Sequence, residues 1–246
     1  MDFELTDEQK QLKKTVRKFG DEEIKPVAKE YDRAEKYPWE VVDKAAESGL
    51  LAPQIPMEYG GPGYEVLETA IVIEELFAAD PGVGLCLSST GFGTEAIIEF
   101  GTEEQKERFL EPVAAGEMIS GAAISEPDTG SDVSSVSTSA EKDGDEWVVN
   151  GTKQWITNGP YADFVQLFAR TTPQSEAGRY GGITCFIVES DEYEVGSLNN
   201  VPGQVGHQAE LRFDDVRIPA DRVLGEVDNA FYDAMDFLSL GRLELG

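Results

Sequence analysis

The hydrophobic period changes near Gly116, and that change limits the chain more than any other feature. Before it, apolar residues recur at helical spacing; after it, they fall into short runs of strand length. Thr6-Asp7-Glu8-Gln9 reads as a capping box, with Thr6 as N-cap and Gln9 three residues on, followed by Leu12, Val16 and Phe19. A second helix is predicted from Pro38-Trp39 to Gly49, with Val42, Ala45 and Ala46 inward. Residues 65–79 predict a third, apolar around much of its circumference and therefore buried. A short helix over 94–100 ends at Gly101, and a second capping box, Thr102-Glu103-Glu104-Gln105, opens another toward Ala115. Beyond Gly116, strands are predicted over 119–124, 164–169, 183–188 and 210–218, and Asn150-Gly151 predicts a tight hairpin turn within 146–155. The pattern gives an α+β chain: a helical domain over 1–118, then an antiparallel β-barrel or sandwich domain over 119–228. Residues 229–246 read as the first helix of a further helical domain, capped by Asp228 and carrying Phe231, Met235 and Leu238.

Charge removes whole classes of function. Among 246 residues there are 48 Asp and Glu against 20 Lys and Arg, a formal charge of −28. Such a chain has no means of displacing counterions from a nucleic acid, and it does not seek anionic lipid. The apolar run Ile71-Val72-Ile73 stops at Glu74-Glu75, far short of a membrane span. The opening, MDFELTDEQK, has neither the basic nor the apolar stretch of a secretion signal. Cys86 and Cys185 lie far apart and His207 is the only histidine, which argues against a metal site and against a Ser-His-Asp triad. These features point to a reducing cytoplasm. Half of the basic residues fall within 10–44 and none follows until Lys106. A surface so acidic repels itself in dilute buffer and is screened in concentrated salt, the solvent of a halophile.

Two segments could carry chemistry. Ser125-Glu126-Pro127-Asp128-Thr129-Gly130-Ser131-Asp132 offers backbone N–H groups and hydroxyls able to hold a phosphate without lysine, or it is a solvated acidic turn. Trp155-Ile156-Thr157-Asn158-Gly159 offers an aromatic face and a hydroxyl for a planar ring, or a core tryptophan at a strand end. His207 is an acid–base candidate or a surface loop residue. Cys86 and Cys185 sit in apolar runs and read as small core residues.

Five ordered motifs join these segments: Glu-Tyr-Gly-Gly-Pro-Gly (58–63), Phe-Gly-Thr-Glu-Glu-Gln-Lys-Glu-Arg-Phe-Leu (100–110), Ile124-Ser125-Glu126-Pro127 with Gly130-Ser131-Asp132, Asn150-Gly151 with Lys153 and 155–159, and Phe213-Asp214-Asp215-Val216-Arg217-Ile218-Pro219. In that order they resemble the acyl-CoA dehydrogenase flavoproteins across essentially the whole chain. The resemblance implies FAD as cofactor and an acyl-CoA thioester as substrate. A glutamate takes the α-proton, the β-hydrogen leaves as hydride to the flavin, and the product is a trans-2-enoyl-CoA. It implies electron-transfer flavoprotein as the electron acceptor and a homo-tetramer for the complete protein. Carried over by position, Ala122 (through its backbone), Ile124, Ser125, Gly130, Ser131, Trp155, Ile156 and Thr157 would meet the flavin, the Thr157 hydroxyl facing N5. Ser131 and Arg242 would meet the substrate.

Three positions depart from the family pattern. Thr129 stands where a smaller residue is usual, Ser239 where Asp is frequent, and Gly241 where some members carry the catalytic glutamate. The resemblance places that base beyond Gly246 in most members, with Glu244 a weak substitute, and implies a third domain missing here except for its first helix. Two other functions stay open: a folded module that binds without oxidising, and an acyl-CoA oxidase that passes electrons to oxygen.

Overall fold

The computed structural model of the chain describes residues 4–199, 205, 208–232 and 235. The helical part comprises α1 (Asp7–Phe19), α2 (Ala28–Ala34), α3 (Trp39–Glu47), α4 (Val66–Ala79), α5 (Pro81–Ser88), α6 (Thr94–Phe100) and α7 (Glu103–Ala114). Both predicted capping boxes form, Thr6 with Gln9 and Thr102 with Gln105. Two of the early basic residues serve α4. Arg17 Nε and Nη2 donate to the two carboxylate oxygens of buried Glu75 at 2.7 and 2.8 Å, and Lys13 Nζ lies 3.3 Å away. Burial alone would raise the Glu75 carboxyl, but its bonds to Arg17 and Lys13 hold it below the usual range.

The remaining strands are β1 (Ser120–Ala123), β2 (Ser139–Asp143), β3 (Glu146–Thr157), β4 (Phe164–Arg170), β5 (Ile183–Glu189), β6 (Glu194–Asn199), β7 (Gln208–Pro219) and β8 (Val223–Leu224). They pair in the order β6-β7-β3-β2-β4-β5-β8, with β1 alongside β4. The sheet is mixed rather than purely antiparallel: β1 runs parallel to β4, and β2 meets β4 in a parallel contact at Ser139 and Arg170. The cause is a strap, residues 124–138, that leaves the sheet at the end of β1 and re-enters it as β2 beside the same strand.

Both faces of β4 are buried. Phe164 and Phe168 face the helices, where the Phe109 and Phe164 rings lie 4.7 Å apart, while Val165, Leu167 and Ala169 face a second core with Trp147, Phe186 and Leu211. Hence the unbroken apolar run of that strand, which is the pattern of a strand covered on two sides.

One expectation is corrected. Asn150-Gly151 is not a hairpin turn; β3 runs straight through it, and the turn lies at Gly144-Asp145, with Gly144 at φ +65°. Asn150 and Gly151 instead form a bulge against β7. Asn150 Oδ1 accepts from the Asp215 backbone N–H at 2.9 Å, and a Cβ on Gly151 would sit 2.5 Å from Thr138 Oγ1. Gly151 supplies a φ of +153° that other residues resist, and Asn150 supplies the side-chain bond to β7. Asp228 turns its side chain toward Thr171 and Thr172, whose hydroxyls donate to it at 2.6 and 2.9 Å.

Candidate functional site

The site forms where the strap leaves the sheet and β3 ends. Lys153 and Ile156 bracket a break in the pairing of β3 with β7, and inside it Trp155 adopts φ +63°. A bulky residue in that region costs roughly 1–2 kcal/mol. The bulge turns the indole out of the sheet, leaving Trp155 56% exposed, while its neighbour Ile156 is 2% exposed. A core role for Trp155 is thereby removed. Asn158, also at positive φ, is buried and fixes the following turn by donating to the Ser89 and Ser120 carbonyls at 2.6 and 2.9 Å.

A cleft of about 460 Å³ opens between these two segments. All eight positions expected at the flavin line it: Ala122, Ile124, Ser125, Gly130 and Ser131 from β1 and the strap, Trp155, Ile156 and Thr157 from β3. Phe92, Val133 and Met235 complete the lining. These three were not singled out in the sequence as site residues. Met235 belongs to the stripe read as helix packing, and Phe92 had only its flanking glycines, Gly91 and Gly93, as a signal. Arg242, Glu244 and His207 lie outside the described residues, as do Gly241 and Ser239.

The acidic strap does not present all its carboxylates to solvent. Glu126 is buried, and its side chain accepts from the Ser137 N–H and Oγ at 2.8 and 2.6 Å, from the Thr138 N–H at 2.9 Å and from Lys153 Nζ at 2.8 Å. Burial would raise its carboxyl, but Lys153 and these donors bring it down to about 2. Burial pulls the Lys153 ammonium the other way, downward, while Glu126 holds it up. The carboxylate governs this pair, because its backbone donors persist whatever the lysine does. Asp128 and Asp132 are exposed, and the Asp132 carboxyl is lowered by its bonds from Ser134 and Ser135. Thr129 fits despite its β-branch: its hydroxyl donates to the Ser135 carbonyl at 3.1 Å and its backbone pairs with Glu126.

The chemistry of the lining suits a planar, partly polar ring system. Trp155, Ile124 and Ile156 give apolar walls, and the Ser125, Ser131 and Thr157 hydroxyls give donors. Gly130 has nothing within 4 Å of where a Cβ would be, so backbone can be approached closely there.

Comparison with known proteins agrees. Residues 6–117 match the family profile "Acyl-CoA dehydrogenase, N-terminal domain" and residues 121–216 match "Acyl-CoA dehydrogenase, middle domain". The chain carries the N-terminal and middle domains of the acyl-CoA dehydrogenase family. A short-chain specific acyl-CoA dehydrogenase of Clostridium acetobutylicum is 38% identical over 248 residues, 99% of this chain and 64% of that protein. Butyryl-CoA dehydrogenase from Megasphaera elsdenii superimposes with a TM-score of 0.91 at 36% identity, covering 99% of this chain and 65% of that one. A glutaryl-CoA dehydrogenase from Mycobacterium smegmatis in complex with FADH2 gives 0.87 at 28% identity, covering 98% and 61%. The chain therefore spans somewhat under two thirds of the length of these relatives.

Proposed function

We propose that this chain forms the flavin wall of an FAD-dependent acyl-CoA dehydrogenase, which removes two hydrogens from an acyl-CoA thioester to give a trans-2-enoyl-CoA. One observation carries the reading: the eight positions that the family pattern assigns to the flavin line a single cleft, with Trp155 turned into the open at positive φ. FAD, when bound, would supply the two-electron acceptor. The chain's own residues would bind and orient it. Trp155, Ile156 and Ile124 cover the ring system and keep water from it. The hydroxyls of Ser125, Ser131 and Thr157 and the backbone around Ala122 and Gly130 hold its polar edge. Ser131 also borders the place expected for the thioester.

Family likeness supports electron-transfer flavoprotein as the acceptor and a homo-oligomer as the assembly. The charge of −28 supports a salt-rich cytoplasm as the working medium. The test is spectroscopic. The purified full chain, incubated with FAD and freed of excess, should retain the visible flavin bands, and an acyl-CoA panel added without oxygen should bleach them wherever a base is in place. A chain that retains no flavin refutes the proposal. A chain that retains flavin but bleaches with no acyl-CoA holds the cofactor without a base in place, and rapid reoxidation by oxygen after bleaching would mark an oxidase.

A further inference from the structure

The two walls of the cleft belong to different parts of the chain, and three bonds tie them together behind the lining. Gln154 N–H donates to the Ser125 carbonyl at 2.8 Å. Lys153 Nζ donates to the Ile124 carbonyl at 2.9 Å and to Glu126 Oε1 at 2.8 Å. Glu126 in turn accepts from Ser137 and Thr138 at the far end of the strap, so one carboxylate closes the loop and fastens it to β3. Lys153 is wholly buried and Glu126 is 5% exposed, and neither lines the cleft. They stand two residues from Trp155 and one from Ser125.

A buried ion pair is a poor way to gain stability, because apolar side chains of the same shape serve as well or better. It is a good way to fix distance and direction, because an ammonium with three donors and a carboxylate with two acceptor oxygens must be met at set angles. We propose that Lys153 and Glu126 are a positioning pair: they set the separation of the strap from the Trp155–Thr157 segment, and thereby the width of the cleft for a flat ring. This rests on the reading of the cleft as a flavin site.

The test compares the full chain with a Glu126→Gln/Lys153→Met double variant, which removes both charges and leaves none unpaired. Glu126→Asp is the second variant; it keeps the charge but draws the carboxylate back by one carbon. Tyr193→Phe is the control, since it loses a buried bond to the Ala162 carbonyl in another part of the β domain. Each is titrated with FAD by flavin fluorescence, its bound flavin is recorded by visible circular dichroism, and the FAD-free protein is melted. The pair's role predicts that the double variant and Glu126→Asp bind FAD at least tenfold more weakly and alter the dichroism of the flavin that binds. Tyr193→Phe should do neither, even where its melting temperature falls as far. Wild-type affinity and dichroism in either folded variant overturns the positioning role and leaves the flavin reading standing. Equal weakening in Tyr193→Phe also overturns it, by showing general softening. Failure of the unaltered chain to bind FAD overturns the flavin reading and the pair's role with it.

Discussion

Replacing Glu126 by Gln should make the protein less stable at neutral pH by an amount that disappears in acid. The carboxyl is nearly inaccessible and sits at about 2, against its usual 4.5. Its folded value is depressed, so its contribution is present in full above the unfolded value and is lost as pH falls toward the folded one. The difference corresponds to about 3 kcal/mol at pH 7, and roughly 2 kcal/mol of that is gone by about pH 3. The amide keeps the shape but not the charge, so Lys153 loses the partner that holds its ammonium up at neutral pH, a loss that the wild type shares only in acid. With 48 acidic residues titrating over the same range, absolute stability against pH says little about one of them. The difference between wild type and Glu126→Gln isolates it. Urea unfolding of both proteins at constant ionic strength, at pH values from about 7 down to 3, should give parallel slopes and a gap in free energy that closes on acidification. Salt should leave that gap nearly unchanged, because both groups are shielded from it. A gap of the same size at both ends of the range, or no gap at neutral pH, refutes the assignment of a buried ionised pair.

Three further outcomes are expected. Gly151→Ala should lower stability by about 1–3 kcal/mol in the same assay, because the added methyl meets Thr138 Oγ1 at 2.5 Å and its Cα at 2.7 Å. Gln166→Leu should raise the melting temperature: Gln166 is fully buried and neither side-chain polar atom has a hydrogen-bond partner among the described residues, so removing the amide gains roughly 1 kcal/mol. Thermal melts in KCl should show the midpoint rising steadily between ~0.1 and ~1 M as screening relieves self-repulsion, and a midpoint indifferent to KCl contradicts the salt-rich setting.

Elements with a local chemical signature were legible in the sequence. Thr6 and Thr102 announced their helices through Gln9 and Gln105, and 94–100 ended at its glycine as expected. Helix α5 was missed because Pro81-Gly82-Val83-Gly84 reads as a turn. Asp80 caps it, accepting from the Gly82 and Val83 N–H groups at 3.0 Å, and Gly84 is needed because a Cβ there would come within 2.9 Å of the α4 backbone at Leu76. That closeness is a tertiary fact that no local pattern reports. Strand β6 was missed because it lies at the sheet edge with Val195 and Leu198 exposed, and so lacks a buried alternation. At the site, residue types alone left the strap and Trp155 undecided, and family order singled them out. The Glu126 and Lys153 pairing stayed hidden because an acidic loop and a strand lysine each suggest solvent. Only the fold brings residues 27 positions apart to 2.8 Å in the interior.

The account turns on what occupies the cleft between 122–131 and 155–157. A crystal structure of the full chain grown with FAD tests it most directly. The account predicts isoalloxazine density against Trp155 and Ile156, with Ser125, Ser131 and Thr157 within hydrogen-bonding distance of its polar edge. Density for the cofactor elsewhere, or a cleft closed over by Trp155 in the presence of saturating FAD, would contradict it.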